Sequence, residues 1–209
     1  MNPLLIALLG ALVIPLFVGT WRTSLLGLSA QGLLMAALVQ RAAASLDTAH
    51  DWITLVDLAL IRGVAMPLAL YAVLKAQGAR ARNDVIPPNL FYWTLALAVG
   101  LAAFNFAERL VSEPGEPQTL VAVAVAGLLF GFLVLSGSLE PFSQMVGALR
   151  IENAIALLEL SGHDHPALGL QLAMSAIFVA TLGFFCWYLA TLKEPAEESV
   201  ESAPDSLSL

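Results

Sequence analysis

The stretch QTLVAVAVAGLLFGFLVLSG (118–137) runs for twenty residues without one charged side chain. A bilayer hydrocarbon core about 30 Å thick takes roughly 20 apolar residues of helix to cross. Lipid offers backbone groups no partners, so a run of that length must satisfy its hydrogen bonds within itself, as a helix. Working outward, the polar and Pro/Gly breaks TWRTS, RAAASLDTAHD, KAQGARARNDVIPP, SEPGEPQ, SGSLEP and SGHDHP separate six further runs, at about 3–20, 24–44, 53–76, 89–111, 141–161 and 167–192. SGSLEP is short enough to be a kink, which leaves six or seven spans. The first run lacks a basic leader and a small-residue cleavage site, so it reads as a retained helix bent at Pro15.

Composition agrees. Apolar residues make up 59% of the 209 and charged residues only 12%, with mean hydropathy +0.83. A soluble domain carries about 25% charged residues. A disordered chain, a nucleic-acid binder and a disulfide scaffold are excluded as well, the chain having one cysteine. The expected fold is all-α: a polytopic membrane helix bundle of about seven transmembrane helices over 1–192, embedded in a lipid bilayer. Residues 193–209 form an acidic, solvated tail. The tail's five acids account for all but −2 of the formal charge of −7.

Lys75, Arg80 and Arg82 lie between the third and fourth spans, and Arg22 between the first and second. By the positive-inside rule, seven crossings place the N-terminus outside and the tail in the cytoplasm. Trp21, Trp52, Trp93, Trp187 and Tyr188 fall near span ends, as an aromatic belt requires. Gly127 and Gly131 form a GxxxG in the fifth span, read as close packing within the chain in preference to a dimer seam.

The informative residues are charges inside spans. Each costs about 2.5–3.5 kcal/mol at mid-membrane on the mildest scale, so it faces protein, water or a partner charge. Span three carries Asp57 and Arg62, and span six carries Arg150, Glu152 and Glu159. Arg62 precedes Pro67, whose missing N–H frees a carbonyl near Gly63. A cation beside such a break serves either an ion path or a structural pair with a carboxylate on another helix. Asp57 is five positions away, about 140° around an α-helix, and is a poor intrahelical partner. Glu152 and Glu159, seven apart, share a face and form a candidate proton relay, with Glu152 beside Asn153 the deeper of the two. Arg150, about 200° from Glu152, serves another helix or the cytoplasmic interface. Glu108 and Arg109 read as interface residues, His163 and His165 as a polar turn, and Cys186 as packing. There is no Walker motif, iron–sulfur cysteine cluster, haem histidine pair or activated nucleophile. No cofactor, no metal site and no catalytic residue are expected.

The segments LIRGVAMPLALYAVLKAQ (60–77), RIENAIALLEL (150–160) and LAMSAIFVATLGFFCWYLATL (172–192) resemble the hydrogenase-4 component E family. That family is partly similar to the K subunit of complex I and to the C component of sodium/proton antiporters built from several chains. The resemblance implies a non-catalytic subunit of a multisubunit oxidoreductase in the bacterial cytoplasmic (inner) membrane. It implies a contribution to proton or sodium translocation beside antiporter-like subunits and a cytoplasmic redox module. Arg62 matches the family's base before the proline, and Glu152-Asn153 match its Glu-Asn pair. Members carry an acid near the position of Ser175, and the acidic tail is not a feature of the family. Two other functions fit the residues: an autonomous small ion transporter, although no internal repeat is detectable, and a purely structural assembly subunit. The candidate path residues are Glu152, Arg62, Asp57 and Glu159.

Overall fold

The computed structural model describes residues 2–18, 20–42, 48–76, 90–112, 114–137, 140–162 and 168–191. Asp47, Arg80, Arg82, Glu113, the His163-Asp164-His165 turn and the tail 193–209 lie outside the described residues. The described chain is helical throughout, with no strand. Its seven helices are α1 (Pro3–Phe17), α2 (Trp21–Ala42), α3 (Ala49–Ala76), α4 (Leu90–Leu110), α5 (Glu116–Gly137), α6 (Pro141–Ser161) and α7 (Leu168–Thr191).

Five of them, α2, α3, α4, α5 and α7, are long and apolar enough to cross a membrane. The other two depart for different reasons. Helix α1 has fifteen residues, about 22 Å at 1.5 Å per residue, short of a core about 30 Å thick. Helix α6 is long enough but carries Arg150, Glu152 and Glu159. The bundle hides it, burying Ser143, Arg150 and Asn153 along its length.

The break at SGSLEP separates two helices and does not kink a single one. Helix α5 ends at Gly137, Glu140 takes an extended conformation as N-cap (φ −73°, ψ 130°), and Pro141 opens α6 at the position where a missing N–H costs nothing. The helices then run antiparallel in close contact. A methyl group on Gly131 would stand 3.0 Å from the Gly147 carbonyl oxygen, and one on Gly127 would stand 3.3 Å from the Ala154 Cβ. The GxxxG pair therefore packs α5 against α6 within the chain.

One end of the bundle is fixed by polar contacts. Asn2 caps α1 through the Leu4 N–H, donates from Nδ2 to Glu116 Oε1 at 2.6 Å, and accepts from Arg41 Nη1 at 2.8 Å. The start of α1, the end of α2 and the start of α5 thus share one face, the N-terminal face.

Two large apolar clusters fill most of the interior, beside a small third one of Ala107, Val121 and Ala122. One takes Met35 and Ala36 of α2, Leu58 of α3, and Ala156 and Leu157 of α6, with α1, α4 and α5. The second takes Trp21, Leu25 and Leu28 of α2, Met66, Leu70 and Leu74 of α3, Leu149 of α6, and Phe178 of α7. Between them, at the midpoints of α2, α3 and α6, stand Gln31, Arg62 and Asn153, all buried. The bundle has a polar layer at half-height.

Trp21 belongs to the second cluster and not to the aromatic belt. It is 4% exposed and sits 5.5 Å from the Tyr71 ring, with Arg22 over its own ring. Trp52, Trp93, Trp187 and Tyr188 are exposed as expected.

Helix α3 is π-helical over Asp57–Ala65, where the Met66 N–H bonds the Ile61 carbonyl. Two features accommodate the wider turn. Pro67 lacks the N–H that would take the Gly63 carbonyl, and the Ser29 hydroxyl of α2 donates to that oxygen instead. Gly32 lets α2 touch the π segment backbone to backbone, because a Cβ there would stand 2.5 Å from the Gly63 nitrogen. Gly32→Ala is therefore expected to separate α2 from α3 and cost about 1–3 kcal/mol. Gly169→Ala and Gly183→Ala, where a methyl meets nothing within 4 Å, should leave the unfolding midpoint in detergent unchanged or raised. A midpoint unaffected by Gly32→Ala contradicts the contact.

Candidate functional site

The π segment decides the site. An α-helix puts positions five apart about 140° apart, but i→i+5 bonding brings them within one turn of each other. Asp57 is consequently the direct partner of Arg62, with Nε to Oδ2 at 2.8 Å and both side chains buried. The expectation that Asp57 is a poor partner fails, because it rests on α-helical spacing.

The rest of the guanidinium is satisfied by other helices. Arg62 Nη1 donates to Asn153 Oδ1 on α6 at 3.0 Å, and its Cζ lies 4.0 Å from the centroid of the Phe178 ring on α7. Asn153 Nδ2 reaches Gln31 Oε1 on α2 at 3.4 Å. Three helices therefore meet at one cation, and α2 joins them through Asn153. A small void of about 10 Å³, close to the room one water needs, adjoins Gln31 and Asn153 on the side towards α1 and α5.

From the other side the ion pair is reached through a cleft of about 410 Å³. Its wall runs from His50, Asp51 and Glu116 near the N-terminal face, past Thr54, to Asp57 and Arg62. Arg62 lies thirteen residues into α3, about 20 Å along its axis. Helix α6 contributes Glu159, and α7 contributes Gln171, Met174 and Ser175. Glu159 stands within electrostatic reach of both Asp57 and Arg62. Thr54 is held in place from both sides: its hydroxyl donates to the His50 carbonyl at 3.0 Å and accepts from Gln171 Nε2.

Of the four residues expected from sequence, Arg62 and Asp57 are bonded and Glu159 shares their cleft. Glu152 is separate from the cleft lining. It is half-buried towards α7, where it pairs with Thr181, and its Oε2 has no partner. Its neighbour Asn153 is the one that contacts Arg62. Arg150 is wholly buried and donates from Nη1 to the Leu12 carbonyl at 3.1 Å, so it serves α1 and not an interface. Glu108 and Arg109 are exposed on α4, and Cys186 packs partly buried beside the second cluster. Gln31, Gln171, Thr54 and Phe178 are additions that the sequence reading does not contain. A mid-span amide such as Gln31 is costly to leave unpaired in hydrocarbon, though less so than a charge, and that cost is a signal visible in sequence.

Among the described residues no group of three or more His, Cys, Asp or Glu side chains is arranged to hold a metal ion. No family model matches the chain, and comparison with curated proteins and with solved structures returns no match.

The geometry predicts a specific hierarchy of stability. Removing one partner of a buried pair costs about 3–5 kcal/mol, while replacing both by apolar residues is far milder. Asp57→Asn and Arg62→Met should each lower the unfolding midpoint sharply, and the Asp57→Leu/Arg62→Met double variant should recover most of the loss. Arg62→Lys should resemble Arg62→Met, since an ammonium cannot serve Asp57, Asn153 and the Phe178 face with one planar fork. Additive single-variant losses contradict the pairing.

Proposed function

We propose that this chain is a non-catalytic membrane subunit of a complex-I-like or group 4 hydrogenase-like assembly, contributing a polar half-path for protons or sodium. The observation that carries the reading is the cleft itself: a polar opening from one face that ends at half-height on a buried ion pair. Beyond the pair, Asn153 and Gln31 extend the polar layer across the bundle. Charges and amides at that depth are costly in hydrocarbon, and mid-span ionisable groups mark ion pathways by default.

The mechanism is charge coupling. Arg62 is held at a fixed depth by Asp57, Asn153 and Phe178, so the carboxylates near it feel a constant local charge. A change of field imposed by a redox module in a partner alters the proton or cation affinity of Glu159 and Glu152. Uptake then follows from the cleft side and release towards the other side. Under the positive-inside orientation, the cleft opens to the outside of the bacterial cytoplasmic membrane and the tail faces the cytoplasm.

Two features support neighbouring subunits. Helices α4 and α7 bury only Ala96, Ala103, Ala107 and Phe178, Leu182, Leu189 respectively, leaving broad outward faces. On α4 that face includes Asn105, which bonds its amide back to the Leu101 carbonyl, and Glu108 and Arg109 one turn on. Polar groups on an outward face suit a protein neighbour better than lipid. Within the resemblance to hydrogenase-4 component E, the family's acid falls near Ser175, which lines the same cleft as Asp57 and Glu159. On this reading those two carboxylates take over that acid's task.

Purification in mild detergent should bring down antiporter-like membrane subunits and redox subunits with the chain. In the assembled complex, Glu152→Gln and Glu159→Gln should each lower coupled ion transport severalfold while assembly is unchanged. An assembled complex that pumps normally with both carboxylates removed refutes the path and favours a structural role. Ion movement by the chain reconstituted alone favours an autonomous transporter.

A further inference from the structure

We infer that the floor of the cleft is a binding site for one monovalent metal cation, sodium in particular, held between Asp57 on α3 and Gln171 on α7. The inference deepens the ion-handling reading above, but binding itself needs no partner subunit.

Orphaned groups point to it. Among the buried side-chain atoms of the cleft wall that lack a hydrogen-bond partner are Asp57 Oδ1 and Gln171 Oε1. Both are acceptors, and an unsatisfied buried acceptor calls for a donor or a cation. Each is turned this way because the other atom of its group is committed. Asp57 Oδ2 takes Arg62 Nε, and Gln171 Nε2 gives its hydrogen to Thr54, three residues before Asp57 on the same face of α3. The two oxygens are thereby presented to one cleft by two helices.

Charge selects the valence. At the inner end of the cleft Asp57 and Arg62 cancel and Glu159 adds one negative charge, while Asp51 and Glu116 nearer the mouth add two more. At that inner end one monovalent cation balances Glu159, whereas a divalent ion would leave an excess positive charge beside the buried Arg62. The donors available, namely carboxylate, amide oxygen and the Ser175 hydroxyl, are hard oxygens that suit an alkali or alkaline-earth ion over a transition metal. Arg62 does not expel the cation, since the guanidinium is already shared among Asp57, Asn153 and the face of Phe178.

The site predicts coupling between the ion and helix α7. Gln171 reaches the cation from α7, a helix whose other buried anchors are few, so occupancy should tighten α7 on the bundle. The test uses the purified full chain in lipid nanodiscs at fixed pH and ionic strength. Its unfolding midpoint is followed while sodium chloride replaces choline chloride. A saturable rise with sodium, absent with choline, is expected. Gln171→Leu and Glu159→Gln should each raise the half-saturating sodium concentration at least tenfold, and Asn105→Ala on α4 should leave it unchanged. Gln171→Leu keeps the ion pair, so the test stands even where Asp57→Asn fails to fold. Identical midpoints in sodium and choline overturn the site. So does a sodium response that survives both substitutions unaltered. Neither result depends on copurifying subunits, so the site and the assembly reading fail separately.

Discussion

The Asp57–Arg62 pair is the constraint around which the bundle is arranged. Two opposite charges at half-height can persist in a low-dielectric interior only when geometry and supplementary hydrogen bonds are both good. Helix α3 supplies the geometry by widening to a π turn over nine residues, a form that is rare and concentrated at functional positions. The supplementary bonds come from α6 through Asn153, and Phe178 of α7 closes the remaining face. Losing the pairing geometry would leave a cation in an apolar core, and losing Asn153 or Phe178 would leave part of the guanidinium unsatisfied.

That requirement propagates outward through packing. A widened helix needs a neighbour that can approach its backbone, and Gly32 meets Gly63 there. It also leaves a carbonyl without its usual donor above Pro67, which Ser29 satisfies. Helix α6, too polar to face lipid, is enclosed by the others, with the Gly131–Gly147 contact drawing α5 over it. Arg150 fastens α6 to α1 at the Leu12 carbonyl, and Pro15 of α1 lodges where Gly27 of α2 has no side chain to meet its ring. Of the polar residues that make α6 unfit for lipid, Glu159 lines the cleft and Asn153 bonds the Arg62 at its end, so fold and proposed function share those two side chains.

Much of the architecture is legible in the sequence because bilayer thickness is a blunt ruler. Runs such as 118–137 have no alternative to helix, and the helix limits fall within a few residues of the polar breaks. The hairpin at SGSLEP is ambiguous only because a short turn and a kink share the same Pro/Gly/Ser signature. Charged positions are equally visible, since Arg62, Asp57, Glu152 and Glu159 stand out against apolar neighbours. Their partnerships are not. At 100° per residue, 57 and 62 fall on different faces, and nothing in one sequence announces a π turn. Trp21 illustrates the opposite error. Its place beside Arg22 at a span end suggests an interface, yet the packing of Tyr71 and the second cluster draws it inside. The amides Gln31 and Gln171 carry no formal charge and do not stand out as charges do, although both matter to the polar layer.

The central claim is that Asp57 and Arg62 are hydrogen-bonded across one widened turn. Dipolar recoupling between the 15N-labelled Arg62 guanidinium and the 13C-labelled Asp57 carboxylate, by magic-angle-spinning NMR of the chain in lipid bilayers, tests it most directly. The account predicts strong dephasing at a separation set by a direct N–H···O bond, lost on Asp57→Asn, which also assigns the signal to this carboxylate. Dephasing no stronger than that of a pair on opposite helix faces would show an ordinary α-helix at this place and contradict the account.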